Sequence, residues 1–491
     1  MNRPWRGLWL AALAGAALAG GAVAAQPRSE ATNLADFDFM VAEITANYAG
    51  YDTKVTDATR PALEALTRRL RARAATADDG EMPAIVGEWM AFFHDGHTHA
   101  GFIAKPPSTT SAARDPADRY AGFTESGARA ALAALGDRRD PVEGIWRIGG
   151  DRYRLAVLRK AGAAGTFEAV VLTSTTPGWS AGDIKAILTR GDDGRFAIDY
   201  RSGDRSALAM RADLVAGGEA LASDHLGAWS REWPPVADPG RFDRLFGADD
   251  LALTRVSART LWLRLPDFDD SRAAPLLALL KQRAADLRST PNLIVDLRNN
   301  AGGSDYVYAP LLPLLFTRPI YSIGVEMRAT RDNAALRRAL ADRIRAEAPE
   351  QATELYRQAD LMEHHLGEYL SPDSRPFSSY AAPAIAPSPR RIVVLIDGAA
   401  SSGEQFLLDA RQSRKVTLMG KTNSAGVLDF ANVVATTSPS GRLALQWATS
   451  RSLRLPDDPV DPVGVAPDIR IPATVEDPIA FAATWLERQV D

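Results

Sequence analysis

From Asp36 onward apolar residues recur at helical spacing: Phe37, Met40, Val41, Ile44 and Tyr48, then Leu63, Leu66 and Leu70, then Ile85, Trp89 and Phe93. Side chains three and four positions apart share one helix face, so the pattern predicts helices burying a common stripe. It defines an N-terminal helical domain over 26–105. Residues 106–139 open on PPSTTSAARDPADR, which breaks the periodicity, and are expected to form a linker or loop. The period then changes to two. GIWRI, RYRLAVLR, TFEAVVLTS, IKAILTR and FAIDY alternate apolar and polar residues between turn signals such as Gly149-Gly150-Asp151 and Asp192-Asp193-Gly194. This predicts a β-rich module over 140–250, read as a spacer or substrate platform because nothing in it pairs a nucleophile with a base.

Over 251–491 the style changes again. Apolar strands at Thr260 to Leu265, Asn292 to Arg298, Arg391 to Ile396 and Lys415 to Met419 are separated by helical segments, one carrying Leu277, Leu280 and Leu287. Continuous apolar runs mark strands buried on both faces of an α/β sheet. A charged amphipathic insertion at 328–369 is expected to be helical, as a lid or simply as a solvated hairpin.

The 491-residue chain is 46% hydrophobic, which is ordinary for a globular protein of several domains. Its net charge of −4, with Lys and Arg interleaved among Asp and Glu, argues against a nucleic-acid partner. The first residues read MNRPWRGLWLAALAGAALAGGAVAAQ, with two arginines, an Ala/Gly-rich apolar stretch too short to span a membrane, and small residues after it. This is the pattern of a signal peptide over 1–25, cleaved near Ala24 or Ala25, and it implies a periplasmic or secreted protein with no stable membrane span. The absence of cysteine excludes disulfides, thiol nucleophiles and thiolate metal sites.

Chemistry is expected where sheet residues give way to turns. In DLRNNAGG (Asp296 to Gly303) paired glycines let backbone N–H groups approach an anionic oxygen. In DGAASSGEQFLLDA (Asp397 to Ala410) small residues lead from a strand into a helix, and a serine there stands at the positive end of the helix dipole. The tail GVAPDIRIP follows Asp457, Asp458 and Asp461. Singly, each has a structural explanation, since Gly-Gly makes turns, Ser caps helices and Asp opens loops. Three of the six histidines, His94, His97 and His99, cluster in FFHDGHTHAGF. They read as a general base with polar neighbours, as surface residues, or as zinc ligands; HExxH is absent, and no metal or organic cofactor is expected.

Taken together and in order, LRNNxGG, a small-residue serine motif with Glu404 three residues on, and GVxPDI resemble the serine peptidases that include C-terminal processing (tail-specific) peptidases and the tricorn core. The resemblance covers the chain from about Leu251 to its end plus the N-terminal helical region. It implies a multidomain α/β protein: an N-terminal helical cap, a β-rich middle module and a C-terminal α/β domain of crotonase/ClpP-like architecture. Aligned on Glu404, the nucleophile falls on Ser401, with Ser402 as rival, and the amide of Ser402 would join that of Gly302 or Gly303 in the oxyanion hole. The processing branch takes a lysine base from a position that here is Gly426, with Lys421 nearby in the wrong register. The tricorn-like branch takes a histidine, which here is His97. An acidic residue three before the glycine of GVxPD, Asp461, would orient it. Tricorn relatives can carry a serine before that histidine where this chain has Gly96, so Asp95 is the alternative orienting group. The implied reaction is peptide hydrolysis through a Ser401 acyl-enzyme, on a peptide or protein substrate read in extended form. An esterase or amidase on the same site, or a non-catalytic binder of peptides or apolar ligands, are the other readings.

Overall fold

The computed structural model describes residues 30–103, 119–149, 152–203, 205–238, 240–247, 250–346, 348–372 and 375–489. The expected signal peptide over 1–25 and most of the Pro/Ser/Ala-rich stretch lie outside the described residues. The chain divides into two compact units.

One unit comprises 25–105 together with 250–491. Its centre is a six-stranded sheet in the order Ala252–Arg255, Thr260–Arg264, Asn292–Asp296, Arg391–Leu395, Val416–Gly420 and Ile469–Arg470. All neighbours are parallel except the first pair. Leu261, Leu263, Leu293, Val295, Ile392, Val394 and Leu418 point to one face, beneath the helix Ser402–Ala410. Trp262, Ile294, Val393, Leu395 and Met419 point to the other, beneath Pro478–Arg488. Both faces are covered, which is why the middle strands carry consecutive apolar residues, Leu261 to Leu263, Leu293 to Val295 and Ile392 to Leu395.

A second sheet of the same unit runs His99–Phe102, Leu443–Ser452, Val325–Arg328 and Tyr369–Leu370, with Phe430–Thr437 also paired to Leu443–Ser452. Here the structure corrects the expectation of a separate N-terminal domain. His99–Phe102 is an edge strand on Leu443–Ser452, in register His99 to Gln446. The helices Glu30–Asn47, Arg60–Ala74 and Met82–Met90 bury Phe37, Ile44, Leu70, Ile85 and Trp89 in one core with Phe430, Leu445 and Trp447. The helical stripe thus closes on residues from near the other end of the chain. Residues 328–369 hold the helices Arg331–Ile344 and Pro349–His364, packed as a hairpin.

The other unit is a closed antiparallel barrel of eight strands in sequential order, from Gly144–Ile148 to Ala228–Trp233, which pair with each other to close it. The helix Glu125–Ala134 lies within the span expected as linker. Its N-cap Thr124 accepts from Gly127 N–H at 3.2 Å, the local signal that starts it.

Candidate active site

The motif after Asn292–Asp296 is held from below by a buried ion pair. Burial alone would raise the Asp296 carboxyl, but Arg298 and Arg264 hold it below the usual range. Arg298 meets it in a fork, Nε to Oδ1 and Nη2 to Oδ2, both at 2.8 Å. Asn299 then adopts a left-handed backbone (φ 58°). Asn300 is fully buried and ties three segments together. Its amide donates to Leu265 O at 3.0 Å, its carbonyl oxygen accepts Ala400 N–H at 2.8 Å, and its side-chain oxygen accepts Gly302 N–H at 2.8 Å.

That last bond distinguishes the two glycines. The Gly302 amide is already used, so it is not an oxyanion donor. Among the described residues the amides of Gly303 and Ser402 donate to no protein acceptor. Gly302 serves by its lack of a side chain: at φ 86° a Cβ would lie 2.7 Å from both Ala400 O and Ser401 Cβ and 3.0 Å from Ser402 N.

Ser401 stands immediately before the helix Ser402–Ala410 at φ 54°, ψ −122°, a region a non-glycine residue rarely occupies. Its N–H donates to Glu404 Oε2 at 3.3 Å. Ser402 is buried, and its hydroxyl donates to Gly303 O at 2.8 Å. Of the two serines, Ser402 therefore has an engaged hydroxyl and Ser401 a half-exposed one on a strained turn.

Glu404 explains the loop beyond. Its carboxylate is fully buried and accepts Ser424 Oγ (2.5 Å), Gly426 N–H (2.7 Å) and Val427 N–H (2.8 Å). Burial pushes its carboxyl up, against the downward pull of these donors. Gly426, where the processing branch carries lysine, has φ 73°, and a Cβ there would lie 2.4 Å from Pro462 O. No side chain fits, so the missing lysine is built into the backbone packing. Among the described residues Lys421 forms no hydrogen bond or ion pair with Ser401.

Val427 leads to the histidine loop, since a Cβ on Gly96 would lie 2.5 Å from Val427 Cγ1. This crowding opposes a side chain at Gly96. Asp95 Oδ1 accepts His97 N–H at 2.9 Å, and His97 Nδ1 lies 2.6 Å from Phe430 O. A carbonyl only accepts, so in the neutral ring Nδ1 carries the hydrogen and Nε2 offers its lone pair. His94 is exposed. Desolvation lowers the His99 pKa, Asp95 opposes this and His97 adds to it. Among the described residues no group of His, Asp or Glu has the arrangement of a metal site.

Asp461, expected to orient the imidazole, is engaged elsewhere. Its Oδ1 accepts Leu428 N–H at 2.6 Å and Asp429 N–H at 3.0 Å, while Asp429 Oδ2 accepts the amides of Val460 and Asp461. This reciprocal clasp fixes the chain just before Phe430, whose carbonyl holds the ring. Among the described residues no hydrogen bond joins His97 to Asp461 or to Ser401; such contacts commonly tighten only when substrate is bound. The Phe430 carbonyl had no sequence signal because any residue supplies one. Asn300 did have a signal, inside the motif, but its role depends on contacts with Leu265 and Ala400.

Among the described residues the site thus presents a strained serine before a helix, two amides beside it that donate to no protein acceptor, and, on a separate loop, a histidine whose Nε2 forms no hydrogen bond. Residues 259–471 match peptidase family S41. The chain carries a peptidase family S41 domain and is a serine-type peptidase. No curated protein matches it. Among solved structures it is similar to mature CPAF complexed with lactacystin (14% identity, 93% of this chain and 97% of that chain covered, TM-score 0.45). It is also similar to a putative peptidase from Parabacteroides merdae ATCC 43184 (14%, 93% and 97%, 0.43) and to the photosystem II D1 C-terminal processing protease (13%, 91% and 94%, 0.38). These likenesses are remote, and the assignment rests on the family domain.

Proposed function

We propose that this peptidase is exported and cleaves peptide bonds through a Ser401 acyl-enzyme, with His97 as general base. The observation that carries the reading is the Ser401 backbone at φ 54°, ψ −122°, packed against Gly302 and next to the Ser402 amide. Strain of this kind is retained where a hydroxyl must be presented at a turn.

His97 Nε2 takes the proton as Ser401 Oγ bonds to the scissile carbonyl carbon. The developing oxyanion is received by the Gly303 and Ser402 N–H groups, at the positive end of the helix Ser402–Ala410. The imidazolium returns its proton to the leaving amine. Water, deprotonated by the same nitrogen, then attacks the acyl carbon and releases the acid and Ser401 Oγ–H. Asp461 is a positioning residue in this scheme, holding the 428–430 segment on which the ring rests. A fluorophosphonate, which phosphonylates only activated serines, tests the reading. Wild type and Ser402→Ala are expected to label, and failure of correctly folded wild type to label would remove the hydrolase mechanism.

The Asp461 carboxyl is pushed up to about 7, first by burial and then by Asp429 and Asp95, against its bonds to the Asp429 and Leu428 amides. Its second oxygen is buried without a partner, as are Asp95 Oδ2 and the Tyr48 hydroxyl. A folded pKa above the ordinary 3.8 contributes stability that is full below that value and is lost as pH rises through about 7. Asp461→Asn cannot ionise, so its melting temperature relative to wild type is expected to climb across that window. A constant difference between the two over the same range would contradict the assignment.

Export is supported by Arg3, Arg6 and the apolar run from Leu8 to Ala19. N-terminal sequencing of the protein from an expressing bacterium is expected to begin near Gln26; an intact Met1 in the soluble fraction would overturn it.

A further inference from the structure

The loop that carries Gly303 is tied to the helix Ser402–Ala410 at the site and again far from it. At the site the Ser402 hydroxyl donates to Gly303 O at 2.8 Å. A single hydrogen bond fixes a separation but lets two segments pivot about it. The distant tie is made by Asp409, about two turns along the same helix. The Tyr308 hydroxyl, at the end of the short helix Asp305–Tyr308 that follows Gly303, donates to Asp409 Oδ2 at 3.0 Å.

The span between the two ties is packed. Phe268 N–H donates to Gly302 O and Phe268 O accepts Ser304 N–H, both at 2.8 Å, so this residue grips the backbone on each side of Gly303. Its ring lies 5.3 Å from that of Tyr308, which in turn lies 5.2 Å from that of Phe406 on the helix Ser402–Ala410. All three rings are buried, and so is Asp409. The Asp409 carboxylate also accepts Ser322 Oγ at 2.8 Å and Gln405 Nε2 at 2.9 Å, both on Oδ1. Burial pushes this carboxyl up to about 6 and Asp305 adds to the rise, while the three hydrogen bonds oppose it. Among the described residues no Lys, Arg or His forms an ion pair with Asp409. A carboxylate buried without a cation is costly, and an apolar residue would serve packing better. What the carboxylate adds is the capacity to accept from several elements at once.

We propose that Asp409 is a positioning residue for the oxyanion hole, which through Tyr308 sets the angle between the segments that carry the Gly303 and Ser402 amides. This rests on the reading of Ser401 as nucleophile. Two N–H groups stabilise a developing oxyanion only when both point at the same place, and a displacement of about 1 Å forfeits much of the effect. Ground-state binding depends little on that alignment, so the tie acts on turnover and not on KM.

The test uses the mature enzyme and the quenched fluorescent peptide that wild type cleaves best from a mixed library. Active sites are counted by fluorophosphonate titration, so turnover is expressed per labelled serine and unfolded molecules drop out. Tyr308→Phe keeps the ring packing and removes only the hydroxyl. It is expected to lower kcat per labelled site by about tenfold, with KM within about twofold of wild type. Asp409→Asn is expected to lower kcat similarly, and the double variant to be no slower than the more impaired single variant, since both changes act through one bond. If Asp409→Asn does not fold, Tyr308→Phe decides alone. Unchanged turnover per labelled site in Tyr308→Phe would overturn the proposal and leave the nucleophile intact, as would a raised KM with kcat unaltered. Losses that multiply in the double variant would also overturn it. A folded wild type that is not labelled removes the hydrolase reading and this proposal with it.

Discussion

Ser401→Ala is expected to lower peptide hydrolysis by on the order of 10⁴-fold to 10⁶-fold and to abolish fluorophosphonate labelling, with the fold retained. The size follows from the chemistry. Without Oγ there is no acyl-enzyme, and the Gly303 and Ser402 amides can only polarise a carbonyl for direct attack by water. Ser402 cannot take over, because its hydroxyl donates to Gly303 O at 2.8 Å and sits past the turn, inside the helix. Ser402→Ala is the necessary companion. It loses that one hydrogen bond but retains its amide, so it should still be labelled. Labelling that survives in Ser401→Ala and disappears in Ser402→Ala would exchange the roles of the two serines and would require the turn to be re-read.

His97→Gln is expected to reduce kcat by on the order of 10⁴-fold or more and to slow labelling of Ser401 in parallel. Glutamine fills much of the imidazole volume and can donate to Phe430 O as Nδ1 does, but it offers no basic nitrogen where Nε2 stood. Any loss is then due to missing proton transfer and not to a collapsed loop. The loop itself is held independently, through Asp95 Oδ1 on the His97 amide and Gln446 Nε2 on the His97 carbonyl at 3.2 Å. Far-ultraviolet circular dichroism should accordingly match wild type. Labelling of the variant at the wild-type rate would show that another group activates Ser401. Lys421 would be the first to examine, although the clasp of Gly426 on Glu404 and Pro462 leaves no space for a lysine at the position used by the processing branch.

The two glycines of DLRNNAGG mark how far the motif could be read. Their presence announces a close backbone approach, and Ser401, Gly302 and Gly303 do meet there. Which glycine amide is free depends on Asn300, whose side chain takes the first and leaves the second. Asp461 is a similar case. Its place before GVAPDI was visible, yet it reaches the histidine through the main chain of 428–430 and not by a bond to the ring. The β-rich module was legible strand by strand over its first five strands. Its closure was not, because it depends on Gly144–Ile148 pairing with Ala228–Trp233 across the whole module.

By itself the sequence determined the kinds of element and the turn at which chemistry is built. Helical and strand periodicities, Gly-Gly after a buried strand and Ser401 before a helix are local patterns, and local sterics and burial are enough to enforce them. Only the tertiary structure decided that the N-terminal helices share a core with Phe430 and Trp447, that His97 bears its hydrogen on Nδ1, and that no side chain fits at Gly426. The reason is physical. Carbonyl acceptors, free amides, the room for a Cβ and the loss of water around a carboxylate are properties of segments brought together from distant parts of the chain, and no spacing of residue types along it encodes them.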